Sequence, residues 1–264
     1  MSATKKQRTQ PPYELLYWPS IPGRGEFIRL VFEATHTPYT DTANESKDGI
    51  QAVLACKDEQ LTRDDDGNPP AFAPPALRIP GEGKGGKSLV LYQTPSILSY
   101  LGGRLGLAGA DEVEAHWILS HALTALDLNN EVHDTHHPTA IAKYYEDQKE
   151  EALKKAEDFR DVRLPKFLGF FERVLKGNEE EGKGKYLVGG KLSYADTTLW
   201  HVLSGLKFAF PKELEAREEE FPTLFGIFYS SVQGEKGIKE YLVSDRRKPF
   251  SMGIFRHYPE LDRQ

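Results

Sequence analysis

The sequence predicts an α/β domain followed by an all-helical domain, and three features carry that expectation. Short apolar or aromatic runs alternate with amphipathic stretches from residue 13 to about residue 106. Beyond residue 107 the strand signals vanish and only helical spacing persists. Between the two lies GLAGADE (106–112), a glycine-bearing stretch suited to a link. The expected divisions are residues 1–12 as a disordered tail, 13–106 as the α/β domain, 112–245 as the helical domain, and 246–264 as a C-terminal tail.

Taken in order, YELLYW (13–18) is a buried first strand, PSIPGRGE turns the chain, and EFIRLVFEATH (26–36) is an amphipathic helix. PYTDTA is a weak second strand and KDGIQAVLACK (47–57) a second helix. DEQLTRDDDGNPP (58–70) is polar, acidic and proline-bearing, which reads as a loop. APPALRI (73–79) and SLVLY (88–92) are short strands, and Thr94 with Pro95 reads as the N-cap and first position of the next helix. In the second half, 112–136 and 147–176 carry helical spacing, and KGNEEEGKGK (176–185) reads as a solvated loop. Ser193 and Asp196 fit a capping box opening the apolar helix TTLWHVLSGLKFAF, and two short helices are expected within 221–241.

Composition excludes several functions. Hydrophobic residues at 39% and charged residues at 28% describe an ordinary globular chain. A net charge of −6 supplies no basic excess to neutralise phosphates, so nucleic acid is not the expected partner. No apolar run approaches the about 20 residues that span a bilayer, so no membrane partner is expected either. MSATKKQRTQPP lacks the apolar core of a leader peptide, and the single Cys56 can form no internal disulfide. A cytoplasmic location follows as the expectation.

GEGKGGKS (81–88) matches the phosphate-loop pattern letter for letter. That loop binds phosphate only between a strand and a helix, where amides converge on the anion. Here Ser88 is followed by LVLYQ, an alternating strand-like run, so the glycines and Lys87 are expected to link a hairpin. HDTHHP places His133, His136 and His137 at metal-ligand spacing, but at a helix end before Pro138, where histidines suit the last carbonyls. No metal is expected.

Four stretches in order resemble the cytosolic glutathione transferases: YELLYWPSIPGRGEFIRL, APPAL, LYQTPSILSYLGGRLGLAG and YLVGGKLSYADTTLW. They are similar to that family's first strand and helix, its cis-proline turn, its γ-glutamyl-binding segment and its helix-capping motif. The resemblance spans about residues 12–245 and is closest to fungal members and to the tyrosine-type classes. It implies a thioredoxin-like N-terminal domain followed by a helical bundle, glutathione as co-substrate, a small-molecule electrophile as second substrate, and a homodimer.

Such an enzyme attacks through the thiolate. A thiol of pKa about 8.5 is only ~3% ionised at pH 7. Tyr17, at the end of the first strand, stands where the tyrosine-type classes keep their phenol, with one extra residue before Gly23-Arg24. Ser20 is the alternative, because it matches the Ser-x-Pro-x-Arg of the serine-type classes without a gap. The resemblance assigns the γ-glutamyl carboxylate to Thr94 and Gln93, the ammonium to Asp127 with Glu131 one turn on, and the glycyl carboxylate to Lys47. Arg24 matches the arginine kept at the start of the first helix, and Pro75 matches the cis-proline. Pro74 departs from the pattern: it has no N–H, so only its carbonyl can pair with the cysteinyl backbone, which weakens or shifts the tripeptide. Cys56 lies in the second helix and reads as a filler. The tail, with Phe250, Phe255 and Tyr258, either folds over the acceptor site as a lid or packs on the helical domain. Two other functions suit the same framework: glutathione-dependent isomerisation or peroxide reduction, and a non-catalytic binding module.

Overall fold

The structure is a computed structural model that describes residues 13–182 and 184–264; the expected tail at residues 1–12 lies outside the described residues. In chain order the elements are β1 (Tyr13–Leu16), α1 (Gly25–Ala34), β2 (Tyr39–Asp41), α2 (Thr42–Glu45), α3 (Gly49–Cys56), β3 (Ala76–Ile79), β4 (Leu89–Tyr92) and α4 (Thr94–Leu105). Then come α5 (Glu112–Asp134), α6 (Lys149–Asp158), α7 (Leu164–Glu180), α8 (Tyr194–Ala209), α9 (Pro211–Arg217), α10 (Tyr229–Gln233) and α11 (Lys236–Leu242). They fall into two compact units, one formed by the chain up to Pro19 with Pro38–Gln93, the other by Ser20–Thr37 with Thr94–Gln264.

The first unit is a four-stranded sheet in the order β2-β1-β3-β4. β1 pairs parallel with β2, and β3 runs antiparallel to β1 and to β4. This is the mixed sheet expected of a thioredoxin-like domain. Its core joins Leu16, Val53, Ala71, Ala76 and Val90, with Trp18, Ile50 and Cys56 packed against them. The Cys56 thiol donates to the Val53 carbonyl at 3.1 Å, and burial raises its pKa, which suits a filler.

The helix expected over 47–57 forms as α3 but starts late, at Gly49, and an unexpected short helix, α2, precedes it. The reason is steric: a Cβ on Gly49 would stand 2.0 Å from the Thr42 carbonyl oxygen, so α3 begins hard against α2. Lys47, expected at a helix start, is instead exposed in the link. The 81–88 stretch does connect β3 to β4, with Gly85 and Gly86 at φ 70 and 77. Its lysine and serine are already engaged: Lys87 Nζ donates to the Asp65 carbonyl at 2.7 Å and the Ser88 N–H to the Asp66 carboxylate at 3.2 Å. Asn68 continues the tie, accepting from the Val90 N–H at 3.0 Å and so covering the β4 edge.

The second unit is helical and builds around α8, in which thirteen of sixteen residues are buried, as befits a helix apolar on all sides. α1, α5, α9 and α10 pack against it. The capping box is formed. Asp196 accepts from the Ser193 N–H and hydroxyl, each at 2.7 Å, and from the Leu187 N–H at 2.8 Å. α6 and α7 form one long helical run widened into a π turn over Phe159–Arg163. Pro165 explains the widening, since it has no N–H to return to the preceding turn.

α7 continues through Glu180, into the stretch expected to be loop. Asn178 holds that last turn by donating to the Tyr186 and Leu187 carbonyls at 2.9 and 2.8 Å, which offsets the glycine at 177. The C-terminal tail packs on this helical unit. Phe255 lies flat on Gly205, where a Cβ would meet the ring at 2.4 Å, and Asp262 accepts from the Lys212 and Glu213 N–H groups at 2.9 and 3.0 Å.

Candidate functional site

The sheet register brings three of the expected site residues into one row. Leu16 stands opposite Ala76, and Ala76 opposite Tyr92. The next residue beyond each pairing, allowing for strand direction, is Tyr17, Pro75 and Gln93. All three therefore sit at the same end of the sheet, on neighbouring strands about 4.8 Å apart. Tyr17 is 5% exposed. Pro74 and Pro75 are buried and joined by a cis peptide bond. Gln93 is exposed and takes φ 69, which turns the chain sharply from β4 into α4.

Lys47, the expected partner of the glycyl carboxylate, is on the same unit but off this row, in the link between α2 and α3. Ser20, in the second unit, is exposed with φ 65. Thr94 does not act as a cap. α4 starts on Thr94 itself, and its Oγ1 is buried with no hydrogen-bond partner among the described residues. Gln93, immediately before it, is left-handed and turns the chain from β4 into α4. A buried hydroxyl without a partner costs about 1–3 kcal/mol until something bonds to it.

Arg24 directly precedes α1 and donates from its guanidinium to Asn130 Oδ1 on α5. Sequence reasoning missed Asn130; its position three residues after Asp127, on the same helix face, was the available signal. Asp127 and Asn130 line a cleft of about 530 Å³ together with Thr124, Arg163, Phe167 and Phe170. Glu131, the second acid considered, is engaged: Arg163 grips it with Nε and Nη2 at 2.9 and 2.7 Å. That fork raises the Arg163 pKa further.

The three histidines cluster at the end of α5. Their ring centroids lie 4.8 to 5.0 Å apart. His136 Nε2 meets the Ile254 carbonyl at 2.9 Å and His137 Nδ1 the Lys143 carbonyl at 3.0 Å. Burial pushes His136 down to about 3, so the ring is neutral near pH 7. Among the described residues no group of three or more His, Cys, Asp or Glu side chains is arranged to hold a metal ion. Likewise, no helix among them is long and apolar enough to cross a membrane.

A mixed four-stranded sheet, a cis-proline beside a strand-end tyrosine, and a helical unit built on a capped central helix define a thioredoxin-like protein with an all-helical second half. Comparisons with known proteins agree. Residues 133–245 match the family described as glutathione S-transferase, C-terminal domain. A glutathione S-transferase P 1 from Xenopus laevis is 32% identical over 245 residues, covering 90% of this chain and 94% of that one. A glutathione S-transferase from Plasmodium falciparum is 25% identical over 239 residues, covering 89% and 98%. Among solved structures, the Fasciola hepatica sigma class enzyme superposes with a TM-score of 0.66 at 19% identity, covering 92% of this chain and 99% of that one. The Onchocerca volvulus pi-class enzyme gives 0.61 at 24% identity, covering 87% and 91%. The chain belongs to the glutathione S-transferase family, whose members are transferases that use glutathione.

Proposed function

We propose that this chain binds glutathione, lowers the pKa of its thiol with the Tyr17 hydroxyl, and joins the thiolate to an electrophilic small molecule, a detoxifying conjugation in the cytoplasm. The observation that supports it best is the row of Tyr17, Pro75 and Gln93 at one end of the sheet. Tyr17 supplies the donor, the backbone at Pro74-Pro75 receives the cysteinyl group, and Gln93 with the unpartnered Thr94 hydroxyl takes the γ-glutamyl carboxylate. Arg24, Asp127 and Lys47 complete the charge complement for the tripeptide's ends. On this reading the enzyme is of the tyrosine type; its fungal affinity is proposed from the sequence alone.

The test is retention on immobilised glutathione, followed by turnover of a chlorinated dinitrobenzene. Retention with turnover is expected. Failure to bind sinks the reading, and binding without turnover moves it to a non-catalytic module.

The proposed assembly is a homodimer. Phe72 is 88% exposed, and Trp117 and Val113 are each 55% exposed on α5, the helix that lines the cleft with Phe167 and Phe170. Large exposed apolar side chains on each unit mark interaction surfaces. Sedimentation is expected to give the mass of two chains for the wild type and of one for Phe72→Glu at low micromolar concentration. A wild type that sediments as a single chain would remove the dimer from the reading.

A further inference from the structure

We infer that the C-terminal tail is a positioning brace for the turn at residues 20–24, which carries Ser20 and Arg24, and that Arg247 is its key residue. The inference rests on the proposed glutathione chemistry only for its consequence in catalysis; the brace itself is a matter of structure.

Two side chains on the core face of α1, Glu26 and Arg29, are charged yet 0% exposed. Glu26 Oε2 accepts from Arg29 Nη1 at 3.2 Å and from the Tyr241 hydroxyl on α11 at 3.1 Å. Its other oxygen forms an ion pair with Arg247 Nη1 of the tail at 2.9 Å. Arg29 Nη1 in turn reaches back to the turn, donating to the Pro22 carbonyl at 3.1 Å and the Ile21 carbonyl at 3.5 Å. An unbroken chain of polar contacts therefore runs from tail to turn: Arg247, Glu26, Arg29, then the backbone of Ile21 and Pro22.

A second route runs beside it through rings. His201 on α8 is fully buried, edge-on to Phe27 of α1 at 5.0 Å, stacked on Phe250 at 5.6 Å and edge-on to Phe255 at 5.6 Å. Phe250 and Phe255 both belong to the tail, and Arg247 lies over the Phe250 ring at 5.1 Å. Burial, with Arg247 and Arg29 close by, holds the His201 imidazole neutral, so no third positive charge enters the group.

The turn needs such support. Ser20 at φ 65 and Gly23 at φ 44 are both left-handed, and for serine that conformation persists only where surroundings impose it. A fully buried guanidinium and a largely covered one around one buried carboxylate are also a costly way to fill a core. Apolar side chains of similar volume would pack there with less penalty, but they could not reach two carbonyls of the turn. Charge is spent here on geometry.

Hydrogen exchange on the free protein tests the brace directly. In Arg247→Met, amide exchange across residues 20–25 is expected to rise tenfold or more, while β1 and the middle of α8 keep their protection. Arg247→Lys is expected to restore protection to within about threefold. With substrate present, Arg247→Met should raise KM for glutathione about tenfold and change kcat by less than threefold. If Arg247→Met does not fold, Phe255→Leu weakens the ring route, and the same rise at 20–25 is expected. Unchanged exchange at 20–25 in a folded variant overturns the brace, even where KM moves. Absence of glutathione binding by the wild type defeats the proposed function but leaves the exchange result standing.

Discussion

Replacing Asp196 with alanine is expected to cost about 3–5 kcal/mol of stability, because it leaves three donors without their acceptor in the core. The carboxylate is 0% exposed and receives the Ser193 N–H, the Ser193 hydroxyl and the Leu187 N–H, all within 2.8 Å. Each buried donor left unsatisfied costs about 1–3 kcal/mol, and a lost cap adds about 1 kcal/mol, against a whole-domain stability of about 5–15 kcal/mol. Since α8 is the helix on which the second unit packs, the loss is felt across that unit and not only at one helix end. Urea unfolding is the measurement, and a change below about 1 kcal/mol would mean the box contributes little.

The same carboxyl gives a pH signature with an unusual sign. Burial pushes it up from 3.8 to about 6. The folded state therefore holds its proton more tightly than the unfolded chain does. Linkage then makes this group's contribution to stability grow as pH falls from about 6 to about 4 and decline as pH rises through that window. An ion-paired carboxylate does the opposite. Asp196→Asn removes the titration, so the stability gap between wild type and Asp196→Asn should widen in the wild type's favour by about 1 kcal/mol between pH 7 and pH 5.

What the sequence disclosed depended on whether the cause was local. The capping box was legible because Ser193 and Asp196 are three residues apart and bond to each other at the helix start, whereas the added contact from Leu187 was not. β1, β3 and β4 were legible because each pairs a short apolar run with flanking turn residues, whereas β2 (Tyr39–Asp41) gave only a weak signal. The false phosphate loop was rejected on the strand after Ser88, and the structure adds the reason its lysine is not free. The misses share a tertiary cause. α2 and the late start of α3 come from a glycine contact between helices, and the last turn of α7 from Asn178 reaching residues eight and nine further on. Thr94 was read as a cap, whereas a left-handed Gln93 had already turned the chain. Glu26 and Arg29 could have been noticed, since they put charge on the apolar face of α1. Their partner Arg247 is more than two hundred residues away, and no spacing rule links the two.

Tyr17→Phe is expected to lower kcat/KM for conjugation about 10- to 100-fold, with Ser20→Ala losing less than threefold. The magnitude follows from the thiol. Lowering a pKa of about 8.5 by ~2 units lifts the ionised share at pH 7 from ~3% to about three-quarters, and corresponds to about 2.7 kcal/mol. A single hydrogen bond to a charged acceptor is worth about 1.5–3 kcal/mol, so one hydroxyl suffices for most of it. On the proposed reading, position favours Tyr17 over Ser20. Tyr17 ends the strand that aligns it with Pro75 and Gln93, whereas Ser20 lies three residues beyond, exposed, in a turn of left-handed backbone. The direct measurement is the ultraviolet absorbance of enzyme-bound glutathione thiolate against pH. In the wild type its midpoint should lie near pH 6.5; in Tyr17→Phe it should move up by 1 to 2 units, while Ser20→Ala leaves it in place. A midpoint that moves only in Ser20→Ala transfers the role to Ser20. One that moves in neither variant, with rates within a few-fold of wild type, removes both hydroxyls from the chemistry.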